Sequence, residues 1–88
     1  MVTKVDALII RVGDLIIAKK NYRGSIFNCI FIVGSVDAHD RIITPQSGTC
    51  FEYVNNTRIH RVVFDWSNYE FYLPDAEIIE KYNNYKLP

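Results

Sequence analysis

Cys29, His39, Cys50 and His60 follow one another with nine or ten residues between neighbours. Two thiols and two imidazoles form a donor set that zinc accepts. Structural zinc sites take their ligands in close pairs from single tight turns, however, and the chain has no C-x2–4-C or H-x3–5-H. No metal is therefore expected. Cys29 alternates with Phe27 and Phe31, the pattern of a core thiol, and apolar surroundings weaken a thiol as a nucleophile. Cys50, after Ser47-Gly48, is expected to be more exposed and to approach His39 or His60, yet no local feature activates it. P-loop, GxGxxG and HExxH motifs are all absent from the sequence. No catalytic residue, metal or cofactor is assigned, and the chain is not expected to be an enzyme. Two cysteines do not make a disulfide framework, so both thiols are expected to be reduced, in a cytoplasmic protein.

Two other groups of residues suit binding. Lys19, Lys20 and Arg23 surround Tyr22, and Arg58 and Arg61 flank His60 further on. Cations with an interleaved aromatic hold phosphate while a base or sugar stacks, so these residues are the candidate nucleic-acid contacts. The second group is aromatic. Trp66, Tyr69, Tyr72 and Tyr82 crowd the C-terminal third, and such side chains are favoured at interfaces. They are the candidate protein-binding residues, for a partner or for self-association.

The elements that must position these residues are mostly strands. The local hydrophobic period is two, with dense β-branched and aromatic residues. Strands are expected at Leu15–Lys19, Ile26–Val36, Arg41–Thr44, Thr49–Val54, Thr57–Phe64 and Tyr69–Leu73. A loop is expected over Asn21–Ser25, carrying the basic cluster. Ile26–Val36 is apolar on both faces, as in a central or strongly curved strand, with Gly34 supplying a bend or bulge. Asn55-Asn56 reads as a two-residue hairpin turn, and Trp66-Ser67-Asn68 as another turn. Asp75 reads as the N-cap of a short helix to about Tyr82, with Ile78, Ile79 and Tyr82 inward.

Eighty-eight residues, 49% hydrophobic and 14% aromatic, make one folded domain. Net charge is zero, but residues 1–64 hold eight Lys/Arg against five acids, and residues 65–88 hold two against five. The two ends either steer partners or pair with each other. Zero net charge argues against a generic electrostatic nucleic-acid binder. Met1–Ile10 lacks the pattern of a signal peptide, and no apolar run is long enough for a membrane span. The wealth of Ile, Asn, Tyr, Phe and Lys matches A/T-rich codons, as in many bacteriophages and low-GC bacteria.

The segment VGDLIIAKKNYRGSIF, residues 12–27, resembles the opening of SH3-like barrels of the KOW type. In those barrels a "GD-apolar" strand leads to a basic loop ending in Gly. The resemblance covers about a fifth of the chain. It implies an all-β fold, a small SH3-like barrel of five to six antiparallel strands, here with a short C-terminal helix. An α+β sheet with the helix on one face is the alternative. The functional expectation is a small accessory protein that binds a host or partner protein. A nucleic-acid-binding module of KOW type, using the basic loop and hairpin, is the runner-up.

Overall fold

The computed structural model describes residues 2–22, 25–60 and 63–86. Eight strands and one helix follow in chain order: β1 (Thr3–Val5), β2 (Leu15–Tyr22), β3 (Ser25–Asp37), β4 (Ile42–Pro45), β5 (Thr49–Glu52), β6 (Thr57–His60), β7 (Phe64–Asp65), β8 (Glu70–Leu73) and α1 (Ala76–Lys86). Short 3-10 turns occupy Ala7–Ile9 and Gln46–Gly48. All strand pairs are antiparallel. The fold is thus mostly antiparallel β with one C-terminal helix.

β3 organises the sheet. Cys29–Val33 is apolar on both faces, so β3 takes the centre. β2 pairs along one side of it, from Leu15↔Ile32 to Tyr22↔Ser25. On the other side β5 pairs at Cys29 and Ile30, and β4 takes over beyond Val33. The change of partner coincides with Gly34, where the register against β4 slips between Val33 and Ser35. This is the bulge expected of that glycine.

The expected five- to six-stranded SH3-like barrel is not formed. The sheet has eight strands and is open. From Val33 on, β3 pairs with β4, and β4 in turn with β7, so the sheet branches there. β1, for which the local pattern predicts no strand, adds a further edge beside β8. Three smaller expectations also change. β2 runs on past its expected end at Lys19 to Tyr22, so Lys20, Asn21 and Tyr22 are strand residues. Four residues, 53–56, join β5 to β6, and only Asn56 of them has positive φ. The helix extends past Tyr82 to Lys86.

Two apolar layers result. On one face Ile16, Ala18, Cys29, Phe31, Val33 and Phe71 join Ile43 and Phe64, with Phe31 and Phe64 stacked at 4.7 Å. On the other, Ile17, Ile30 and Phe51 lie beneath α1, which contributes Ile78, Tyr82 and Tyr85. Each fully buried Ile or Phe contributes about 1.5–3 kcal/mol. Asp75 caps α1 by accepting from the Ile78 N–H at 3.0 Å, as expected. The inward stripe is Ile78, Tyr82 and Tyr85, at i, i+4 and i+7, while Ile79 faces outward.

Candidate binding sites

The structure separates the predicted basic residues. Lys19 and Lys20 are consecutive in β2 and therefore point to opposite faces. Lys19 Nζ lies 5.7 Å from the Tyr72 ring centroid, and Lys20 Nζ lies 5.3 Å from that of Tyr69. Lys19 is also directly opposite Glu70 in β8. The Lys4 ammonium, 2.6 Å from Glu70, holds that carboxyl below its usual range, with Lys19 adding to the effect. Asp65 is lowered chiefly by hydrogen bonds from Asn68 and Ser67, with help from Lys20. The basic early segment and the acidic late segment thus meet.

Arg58 stands in β6, with β3 and β5 between it and β2. Three strand spacings are about 14 Å, so Arg58 does not share a basic rim with Lys19 and Lys20. Arg23, Arg61 and the Tyr22 side chain lie outside the described residues.

The predicted aromatic set is likewise divided. Tyr69 is 7% exposed and meets Phe64 edge-on at 5.0 Å. Trp66 is half-buried beside the same layer, and its indole N–H is enclosed without an acceptor among the described residues. Tyr72 and Tyr82 pack in the other layer, beside α1. The four side chains do not form one surface.

A different exposed surface is present. Leu8, Ile9 and Val12 are 71%, 64% and 65% exposed. They project from a stiff segment. Asp6 Oδ1 accepts from the Leu8 N–H and Asp14 Oδ2 from the Arg11 N–H, both at 2.9 Å. Gly13 N–H donates to Val33 O, and Val33 N–H donates to Asp14 O, both at 2.9 Å. Ile10 plugs the segment into the core. The three side chains therefore stand in water on a pinned backbone. Sequence reasoning misses them because a 3-10 turn has neither the two- nor the 3.6-residue period.

The second site lies where α1 crosses β5 and β6. Cross-strand pairing sets Lys4, Tyr72, Ile17, Ile30, Phe51 and Arg58 in one transverse row on the helix-covered face. Tyr85 stacks on Phe51, with centroids 4.0 Å apart and planes 13° from parallel. Arg58 Nε donates to the Tyr85 hydroxyl, and the guanidinium carbon is 5.2 Å from the ring centroid. Beside this stack opens a cleft of about 350 Å³, lined by Ile30, Ile32, Phe51 and Tyr82 and rimmed by Gln46, Ser47, Thr49 and Arg58. The i+3 and i+7 spacing of Tyr85 from Tyr82 and Ile78 is the signal by which the sequence could have placed it there.

The cysteine–histidine set is dispersed. Cys29 and Cys50 are joined as a disulfide, with Cα atoms 5.9 Å apart, which corrects the expectation of two reduced thiols. They sit diagonally on adjacent β3 and β5, and both are buried, Cys50 included. His39 stands in the β3–β4 turn beside Asp40, and His60 is exposed on β6. No described helix is long and apolar enough to cross a membrane. Compared with protein-family models, curated proteins and solved structures, the chain matches none of them.

Proposed function

We propose that this chain is a non-enzymatic accessory domain that acts by binding a partner protein through the Leu8–Ile9–Val12 ridge. The observation that carries the reading is the exposure of three large apolar side chains on a backbone fixed by seven hydrogen bonds among Asp6–Asp14 and Val33. Exposed apolar surface that is held rigid loses little entropy on docking, and contiguous patches of this kind mark interaction sites. The A/T-rich codon bias of the composition suits a phage-encoded domain, for which the partner would be a host protein. The nucleic-acid reading has less support, because Lys19 and Lys20 are each engaged with a tyrosine and lie near Glu70 and Asp65. The weak KOW resemblance supplies its remaining basis.

A photo-crosslinking residue at position 9 tests the proposal, with position 54 as control because Val54 is equally exposed at 64%. A discrete adduct from position 9 alone, lost on Leu8→Asp, is expected. A chain-sized adduct partner would identify self-association, and a different mass a separate protein. Equal, diffuse labelling from both positions, or none, would sink the reading.

A further inference from the structure

Two clefts share the Tyr85 ring, and among the described residues neither is lined by a carboxylate. The first is the cleft of about 350 Å³ beside Arg58. The second, about 560 Å³, shares Phe51 and Tyr85 with it and adds Tyr53, Asn56, Lys81 and Asn84. Among the described residues, Arg58 is the sole charged residue lining the first, and Lys81 the sole one lining the second. The Arg58 cleft thus carries, among the described residues, a local excess of positive charge, whereas Glu52 and Asp75 act on Tyr53 at the second cleft.

Arg58 is also held in place. Its Nε–H is spent on the Tyr85 hydroxyl, and Tyr85 is itself stacked on Phe51. No acidic side chain pairs with this guanidinium among the described residues. Its Nη–H groups remain as donors in the fork geometry that matches a carboxylate or phosphate. Across the cleft, Gln46, Ser47 and Thr49 supply amide and hydroxyl groups. Half-buried Ile32 and Tyr82 line the cleft beside them, while Ile30 and Phe51 are 0% and 3% exposed.

We propose that the Arg58 cleft binds a small ligand that joins one anionic group, carboxylate or phosphate, to a single flat ring. The anion lies against Arg58, and the ring lies against Ile32 and Tyr82. Its volume is at the lower end of small-molecule sites, which suits one ring and not a larger cofactor. The polar rim of Gln46, Ser47 and Thr49 orients the ring's substituents. This site shares no residue with the Leu8–Ile9–Val12 ridge and stands or falls without it.

Amide NMR titration of the full chain tests the proposal, with phenylacetate and phenyl phosphate as ring-bearing anions. Benzyl alcohol, acetate and inorganic phosphate serve as controls that lack either the charge or the ring. Saturable shifts centred on Thr49, Phe51, Arg58, Tyr82 and Tyr85 are expected with at least one ring-bearing anion, and the tighter of the two identifies the anionic group. Each control should bind about tenfold more weakly or worse. Arg58→Gln should weaken binding about tenfold, as expected for one charge-assisted contact. Tyr85→Phe, which removes the hydroxyl that holds the Arg58 Nε–H, should also weaken binding, by less than Arg58→Gln. Absence of saturable shifts with both anions overturns the proposal, as does equal binding of benzyl alcohol. If Arg58→Gln fails to fold, ionic strength decides on the wild-type chain. Binding that weakens with added salt supports the guanidinium contact, and salt-independent binding overturns it.

Discussion

Gly34 and Gln46 approach backbone to backbone: a Cβ at position 34 would lie 2.9 Å from both Cα and N of Gln46. Those atoms belong to main chain and cannot swing aside as a side chain could. Gly34 is the bulge of β3, and Gln46 begins the turn that rims the Arg58 cleft. One close approach thus sets both the branching of the sheet and one wall of the cleft.

Gly34→Ala is accordingly expected to destabilise the fold by about 1–3 kcal/mol, the usual range for overpacking. Gly13→Ala is the instructive comparison. Gly13 has open space around its missing Cβ but a φ of +94°. Its cost should come from backbone strain alone, about 1 kcal/mol. Urea denaturation of the two variants separates the mechanisms, since only Gly34→Ala should also shift the amide resonances of Gln46–Thr49.

The Cys29–Cys50 bond closes a loop across 21 residues of sequence. Loop closure of that length restrains the unfolded chain and contributes about 3 kcal/mol in the chain-entropy account. The double variant Cys29→Ala with Cys50→Ala should lose that amount plus a packing penalty, because both side chains sit in the core. Reduction of the wild type before denaturation should lower the midpoint without changing the fold class. Finding two free thiols per chain in unreduced, denatured protein would contradict the bond.

Much of this architecture is legible in the residue pattern. Alternation through Phe27, Cys29, Phe31 and Val33 marks a strand directly, and Asp75 marks the start of α1. Gly34 stands out as a bulge because it interrupts a run that is otherwise apolar. What is not legible depends on register. The Cys29–Cys50 pairing requires β5 to lie beside β3, and that follows from where β4 and the Gln46–Gly48 turn return the chain. The opposed faces of Lys19 and Lys20 hinge on β2 continuing past the point where the polar residues Asn21-Tyr22 suggest a loop. Arg58 becomes a cleft residue only because α1 runs one turn beyond Tyr82 and brings Tyr85 over Phe51.

Acid should weaken the fold. Asp65 accepts from Ser67 Oγ, Asn68 N–H and Asn68 Nδ2 at 2.8–3.0 Å, and these bonds lower its carboxyl in the folded state. Asp75 is lowered by the Ile78 N–H of its cap, and Glu70 by Lys4. A group whose folded pKa is depressed contributes stability above its unfolded value, and that stability is lost as pH falls through the folded value. Stability should therefore be level from neutral pH to about pH 5 and decline below about pH 4. Lys4 is raised by Glu70, so its share has the opposite sense, present through neutral pH and lost in strong alkali. Thermal midpoints from pH 2 to 8 check this, and Asp65→Asn should flatten the acid slope. The Lys4–Glu70 pair is exposed on both sides, so Lys4→Met should change the neutral midpoint little.

Charge reversal in β2 discriminates between a structural and a nucleic-acid role for the two lysines. Lys20 lies by Tyr69 and influences Asp65, and Lys19 lies by Tyr72 opposite Glu70. Lys19→Glu would set two carboxylates directly across from each other, and like charges in that position are destabilising by about 0.2–1 kcal/mol. Lys20→Glu would add a carboxylate near Asp65 and remove a cation from an aromatic ring. The expected result for the double variant is a lower urea midpoint with the amide resonances of Leu8, Ile9 and Val12 unshifted. A mobility-shift assay on the wild type, with single-stranded and duplex DNA and RNA at low salt, should show no retardation. A complex that dissociates steeply as salt rises, and that the double variant no longer forms while still folded, would restore the nucleic-acid reading. The two lysines would then be releasing counterions from phosphates and not simply lining the tyrosines.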